Sequence, residues 1–146
     1  MNVTLIAVDR LRESYLREGC ALYVKRLGPL LPVRTIEVRP STQSEESSAL
    51  LKQIPADATV WALDRGGTEL SSEQLASRLQ AVERSGARQL ALVIGGADGL
   101  GAAVLARADL VWSFSPLTFL HEMSRLLVLE QVYRAVKINR GEPYHR

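Results

Sequence analysis

The sequence predicts an α/β domain, a mostly parallel sheet with helices covering both faces. Three observations carry that expectation. Apolar runs alternate with stretches of helical periodicity five times along the 146 residues. The spacing between runs suits strand–helix–strand units. No internal repeat, low-complexity segment or linker interrupts the alternation, so residues 1–146 are expected to form a single domain.

The elements follow in order. Asn2–Val8 reads as the first strand. In residues 11–27, Leu11, Tyr15, Leu16, Cys20, Leu22, Tyr23 and Leu27 recur at three- and four-residue spacing, and Gly28-Pro29 stops the helix. Residues 33–39 alternate as a second strand. Thr42 and Glu45 form a capping-box pattern for a helix reaching about Ile54, and Ser71 with Gln74 repeats the pattern for a helix ending near Gly86. Between them lies a third strand, 58–63. Gln89–Ile94 is the fourth strand, 101–107 a short helix, 109–114 the fifth strand, and 117–138 the longest helix.

Composition excludes several classes. Hydrophobic residues make up 47% and charged residues 23%, as in an average globular protein. No apolar stretch is long enough to span a bilayer, and the N-terminus lacks a basic leader, so a cytoplasmic protein without membrane contact is expected. Cys20, the lone cysteine, reads as a buried inert thiol. With two histidines and no Cys/His cluster at zinc spacing, no metal is expected. The net charge of +2 is low for a free-standing RNA-binding domain, so an RNA substrate would need a local patch, a dimer or a large preassembled target.

In open α/β sheets ligands bind at the carboxyl ends of strands. That selects three loops: 63–67, 95–101 and 115–118. The second, Gly95-Gly96-Ala97-Asp98-Gly99-Leu100-Gly101, is neither a dinucleotide fingerprint nor a phosphate-binding loop, yet its glycines permit close backbone approach. It reads equally as a tight turn without a ligand. In the third, Thr118 or Ser115 is placed to cap the next helix. His121 and Arg125 share a face of that helix, and Glu130 with Arg134 makes an i, i+4 pair inside an apolar stretch. The terminal Tyr144-His145-Arg146 reads either as a frayed tail or as a phenol, an imidazole and a guanidinium grouped for chemistry.

Three segments together resemble one family: LDRGGTELSSEQLA from Leu63, LVIGGADGL from Leu92, and SFSPLTFLHEMSRLLVLEQVYRAVKINRGEPYHR from Ser113. The joint occurrence of IGGxxG, SxxTxxH, ExxYRA and the final Tyr-His is similar to the ribosomal large-subunit methyltransferase H family of the SPOUT superfamily. Leu120 stands where that family commonly has proline, and Glu122 where it has Gln or Pro. The resemblance implies a C-terminal trefoil knot, a homodimer, and S-adenosylmethionine as methyl donor. It implies transfer to N3 of a pseudouridine in 23S rRNA within the ribosome. By position it assigns cofactor contacts to Leu63, Gly95, Phe114, Ser115, Pro116, Leu117, Thr118 and Phe119. The adenine is expected beside Leu63 and Leu117, with Asp98 as a candidate ribose partner. The N3 proton must leave before methylation. Tyr144 or His145 is expected to assist, with Arg134 or Arg125 stabilising the charged base. For RNA contact, Arg10, Arg12, Lys25 and Arg26 are the candidates. The competing expectations are a related knotted enzyme acting on another RNA such as tRNA, and a non-catalytic nucleotide-binding dimer.

Overall fold

The computed structural model describes residues 1–144. Its elements are β1 (Asn2–Val8), α1 (Ser14–Leu27), β2 (Val33–Val38), α2 (Gln43–Gln53), β3 (Thr59–Glu69), α3 (Ser72–Arg84), β4 (Gln89–Ile94), α4 (Ala102–Arg107), β5 (Leu110–Ser113) and α5 (His121–Asn139). The strands form one sheet in the order β2-β1-β4-β3-β5, every pair parallel. All five carboxyl ends therefore open on one side.

The central strands β1 and β4 are buried over nearly their whole length, as near-continuous apolar strands covered on both faces must be. Their side chains alternate between two cores. Leu5, Ala7, Trp61 and Leu92 pack beneath α1, α3 and α5 with Leu75, Leu79, Leu129 and Val132. Ile6, Val8, Val60 and Val93 pack beneath α2 and α4 with Leu50 and Val104. Each fully buried Leu or Val stabilises the fold by about 1.5–3 kcal/mol.

Three element boundaries differ from the sequence expectation by three residues or more. The third strand does not end at Leu63. Its pairing with β5 runs Leu63↔Trp112 and resumes at Thr68↔Trp112, so residues 64–67 bulge out and the strand continues to Glu69. Gly67 permits this, since a Cβ there would lie 2.5 Å from the Val111 carbonyl oxygen. The first helix begins at Ser14 rather than Leu11, with Glu13 before it in extended conformation and the Arg12 and Glu13 N–H groups bonded to Glu122 of α5. The last helix begins at His121, not 117, leaving residues 114–120 to wrap around a cavity. Its N-cap is Leu120, without a side-chain cap bond, so neither Thr118 nor Ser115 caps it.

α5 presents no fully exposed side chain from His121 to Asn139. A helix covered to this degree all round is a core element rather than a surface one. Gly19 lets it approach α1, since a Cβ there would meet Leu126 Cδ1 at 3.0 Å. Beside that contact Cys20 is buried, and burial pushes its thiol up from the ordinary range, consistent with an inert packing role.

Candidate cofactor and active site

At the carboxyl ends of β3, β4 and β5 lies a cavity of about 700 Å³. Its walls are the three loops that strand direction selects: the bulge of β3, the glycine loop after β4 and the stretch between β5 and α5. Of the residues assigned by resemblance, Leu63, Gly95, Phe114, Ser115, Leu117, Thr118 and Phe119 line it, and Pro116 does not. Asp98 lines it too.

Gln43 and Ser124 line it although the sequence reading singled out neither, and Asp64 and Arg65 line it from within the 63–67 loop that strand direction selected. Asp64 and Arg65 lie in the β3 bulge that periodicity had read as a plain loop. Gln43 comes from α2, distant in sequence, and no local signal marks it.

The glycine loop is a tight backbone crossing. The Gly99 N–H donates to the Gly96 carbonyl at 3.0 Å, and Gly99 has φ +73°. A Cβ on Gly95 would lie 2.7 Å from the Gly99 carbonyl carbon, so only glycine fits there. Two residues of α2 hold the loop. Gln43 Nε2 donates to the Asp98 carbonyl at 2.6 Å, and the Gly101 N–H donates to Ser47 Oγ at 3.0 Å.

The opposite wall is aromatic. Trp61, Trp112, Phe114 and Phe119 stack edge to face in sequence, with centroid separations of 6.3, 5.1 and 5.9 Å. Such pairs contribute about 0.5–1.5 kcal/mol each beyond burial. Ser113 Oγ lies between the Arg65 carbonyl at 3.0 Å and the Ser115 carbonyl at 2.9 Å, sharing its one proton between them and joining the β3 bulge to the last loop. The Leu117 N–H donates to Ser115 Oγ at 2.9 Å. That turn leaves Leu117 69% exposed at the cavity mouth.

The first turn of α5 divides its side chains. His121 and Ser124 face the cavity. Glu122 turns away and accepts the N–H groups of Arg12 and Glu13, the latter at 3.2 Å. It thereby caps α1, whose own N-cap side chain makes no such bond. These N–H donors, the Arg12 one foremost, hold its carboxyl below the usual range. Arg125 is buried and committed, donating to Glu37 Oε2 at 2.7 Å and to the Asp9 carbonyl at 3.2 Å. It thus joins the ends of β1 and β2 to α5 and does not face the cavity.

The remaining assigned residues gather at the far end of α5. Arg134 pairs with Glu130 at 2.6 Å, and its guanidinium lies 4.8 Å from the centre of the Tyr144 ring. The Tyr144 hydroxyl is 3.2 Å from Tyr23 Oη and donates to Glu130 Oε1 at 3.4 Å. Its ring packs edge to face on Tyr133, with Arg26 over Tyr23 and Lys137 over Tyr133. Burial, the Tyr23 hydroxyl and the Glu130 charge together raise the Tyr144 phenol far above its ordinary range. The hydrogen bond to Glu130 raises Arg134 further, so the guanidinium stays charged. His145 lies outside the described residues. Arg134 follows His121 by thirteen residues, which at 1.5 Å rise places it roughly 20 Å along the helix from the cavity.

Among the described residues no group of three His, Cys, Asp or Glu is placed to hold a metal ion. No described helix is long and apolar enough to cross a membrane.

An all-parallel α/β sheet with a nucleotide-sized cavity at its strand ends, walled by a glycine loop, defines a ligand-binding α/β domain. The family model described as "Predicted SPOUT methyltransferase" matches residues 1–145, and the chain belongs to that family. The chain is 43% identical to "Ribosomal RNA large subunit methyltransferase H" of Moorella thermoacetica, over 100% of this chain and 99% of the relative. It is 47% identical to the protein of the same description from Rubrobacter xylanophilus, over 99% and 98%. A solved structure of a probable methyltransferase from Bordetella pertussis Tohama I superposes with a TM-score of 0.64 at 16% identity, covering 92% of this chain and 96% of that one. At that identity the likeness is one of fold.

Proposed function

We propose that this SPOUT-family protein transfers a methyl group from S-adenosylmethionine to N3 of a pseudouridine in 23S rRNA within the ribosome, acting in the cytoplasm as a homodimer. The observation that carries the reading is the full-length identity above 40% to relatives described as ribosomal RNA large subunit methyltransferase H. The trefoil knot at the C-terminal segments belongs to the same reading.

The cavity fits the cofactor. Its volume, about 700 Å³, is in the range for small-molecule sites. Leu63, Ile94, Leu100, Leu117 and Phe119 offer an apolar slot for adenine, while Asp64, Asp98 and Thr118 offer polar atoms for ribose and amino-acid groups. When bound, the sulfonium of S-adenosylmethionine supplies an electrophilic methyl and a neutral leaving group.

The chain's own task is to present the base as an anion. Arg134, charged and oriented by Glu130, stabilises the negative pyrimidine ring. Tyr144 holds its proton, donates to Glu130 and so helps fix the Glu130–Arg134 pair, and it is not the acceptor for the N3 proton. His145 is then the candidate acceptor for the N3 proton.

A single protomer has the cavity and the Arg134–Tyr144 cluster at opposite ends of α5, too far apart to serve one base. Pairing two chains about a twofold axis would bring the cluster of one to the cavity of the other. The exposed side chains of Tyr15, Leu22, Leu117 and Leu120 are apolar surface available for such pairing.

Mass spectrometry of rRNA from a deletion strain tests the substrate. Loss of methylpseudouridine, restored by the gene, is the expected result, and unchanged rRNA overturns it. Calorimetric titration with S-adenosylmethionine tests the cofactor independently, and an absence of binding overturns the methyltransferase reading for this chain.

A further inference from the structure

The glycine loop is backed by a buried carboxylate that the proposed chemistry does not use. Glu46, on α2, is 5% exposed. Its Oε2 accepts the Ser41 N–H at 2.8 Å, and its Oε1 is a buried oxygen with no hydrogen-bond partner among the described residues. Buried polar atoms are paired in the great majority of cases, and an unpaired carboxylate oxygen is costly to keep. This oxygen points at the loop. A Cβ on Gly96 would lie 3.1 Å from Oε1, 3.3 Å from Oε2 and 3.0 Å from Val8 Cγ1.

The surroundings make this a brace with one element unfilled. On the same helix, Gln43 holds the Asp98 carbonyl and Ser47 holds the Gly101 N–H. Those two bonds pin the far limb of the loop. Glu46 stands opposite its near limb, at Gly96, where the chain leaves β4 and turns into the cavity. An acceptor without a donor sits within a residue's reach of backbone N–H groups in the segment that must close on a ligand.

We propose that Glu46 is a positioning residue for the ligand loop: its Oε1 accepts a backbone N–H from the 95–98 segment when that segment closes on the cofactor. Resting on the S-adenosylmethionine reading, the inference adds a residue that does not line the cavity. The bond exchanges an unpaired buried oxygen for a charge-assisted one, so part of the binding free energy is generated behind the loop.

Glu46→Gln tests it. The amide keeps shape and volume, but with its oxygen on the Ser41 N–H it presents an NH₂ group to the loop where an acceptor is needed. S-adenosylmethionine should bind about tenfold more weakly by calorimetry, the loss expected for a hydrogen bond to a charged group. Hydrogen exchange supplies a readout that a merely structural role would not move. In the wild type, cofactor should slow exchange at Gly96, Ala97 and Asp98. In E46Q that slowing should be lost while β1 and β4 amides stay protected. Should E46Q fail to fold, the exchange measurement passes to Glu46→Asp, whose carboxylate is withdrawn from the loop and should show the same selective loss. A wild type that binds no S-adenosylmethionine overturns the functional reading. A wild type that binds, beside a folded variant with equal affinity and equal slowing, overturns this inference alone.

Discussion

At its first turn α5 sends His121 and Ser124 into an open cavity, while Glu122 and Arg125 are consumed by the fold. At its last turns the helix groups Glu130, Arg134 and Lys137 with Tyr23, Tyr133 and Tyr144, all half-buried and mutually paired. The two ends use the same kinds of residue differently. Arg125 is 4% exposed and bonded on two sides, so its charge is spent on holding β1, β2 and α5 together. Arg134 is paired with Glu130 and lies over the Tyr144 ring, at the end of α5 far from the cavity. The family resemblance names both arginines, and their burial and partners differ: Arg125 is buried between β1, β2 and α5, whereas Arg134 is the one proposed for the chemistry.

The comparison breaks most readily at Arg134. Arg134→Ala should lower turnover by about 10²–10³-fold, in the range for removing one stabilising donor, while S-adenosylmethionine affinity is unchanged. The composite-site reading adds a sharper expectation. Gly95→Val drives a side chain into the Gly99 backbone and should abolish cofactor binding. Coexpressed with R134A, half the dimers are mixed and each carries one intact site, so about a quarter of wild-type activity should return. A coexpressed pair that forms mixed dimers and stays inactive would show that both ends of α5 serve the same chain's site.

Next in size is the response of stability to losing each arginine's partner. Glu37→Ala strips the carboxylate from a buried guanidinium and should cost about 3 kcal/mol in urea unfolding. Glu130→Ala strips a carboxylate from a guanidinium that is 21% exposed and can still reach water, and should cost less, about 1 kcal/mol, with a large loss of activity. Equal costs at the two positions would mean that burial does not distinguish the ends.

How much of this was legible in the sequence depends on whether the cause is local. β1 and β4 are runs of apolar residues whose burial needs no other information. Ser71 and Gln74 form the expected capping box, because both partners lie within one turn. The third strand misled because the Asp64–Gly67 bulge depends on Val111, in a strand not adjacent in sequence. Glu46 stands in the first turn of α2, where acids are favoured, and nothing local marks it as buried. Its burial follows from Ser41 and Gly96 meeting across two strand ends. The site showed the same division. The cavity loops followed from strand direction, and the roughly 20 Å between cavity and tyrosine cluster emerged only from the length of α5.

The smallest effect is the most specific probe of the N-terminal end. Glu122 caps α1 from across the fold, accepting the Arg12 and Glu13 N–H groups. Glu122→Gln keeps an acceptor but loses the charge, and should cost about 1 kcal/mol at neutral pH. The sign of its pH dependence follows from the direction of the shift. In the folded protein the carboxyl titrates below the ordinary 4.5, so the unfolded chain takes up the proton first as pH falls. The charged cap is therefore fully stabilising above that value, and its contribution is lost as pH drops through the lower folded value. Wild type and E122Q should differ in thermal midpoint at pH 7 and converge as the pH falls below 4.5. A gap of constant size across that range would show that Glu122 acts by shape alone, and the start of α1 at Ser14 would then need another cause.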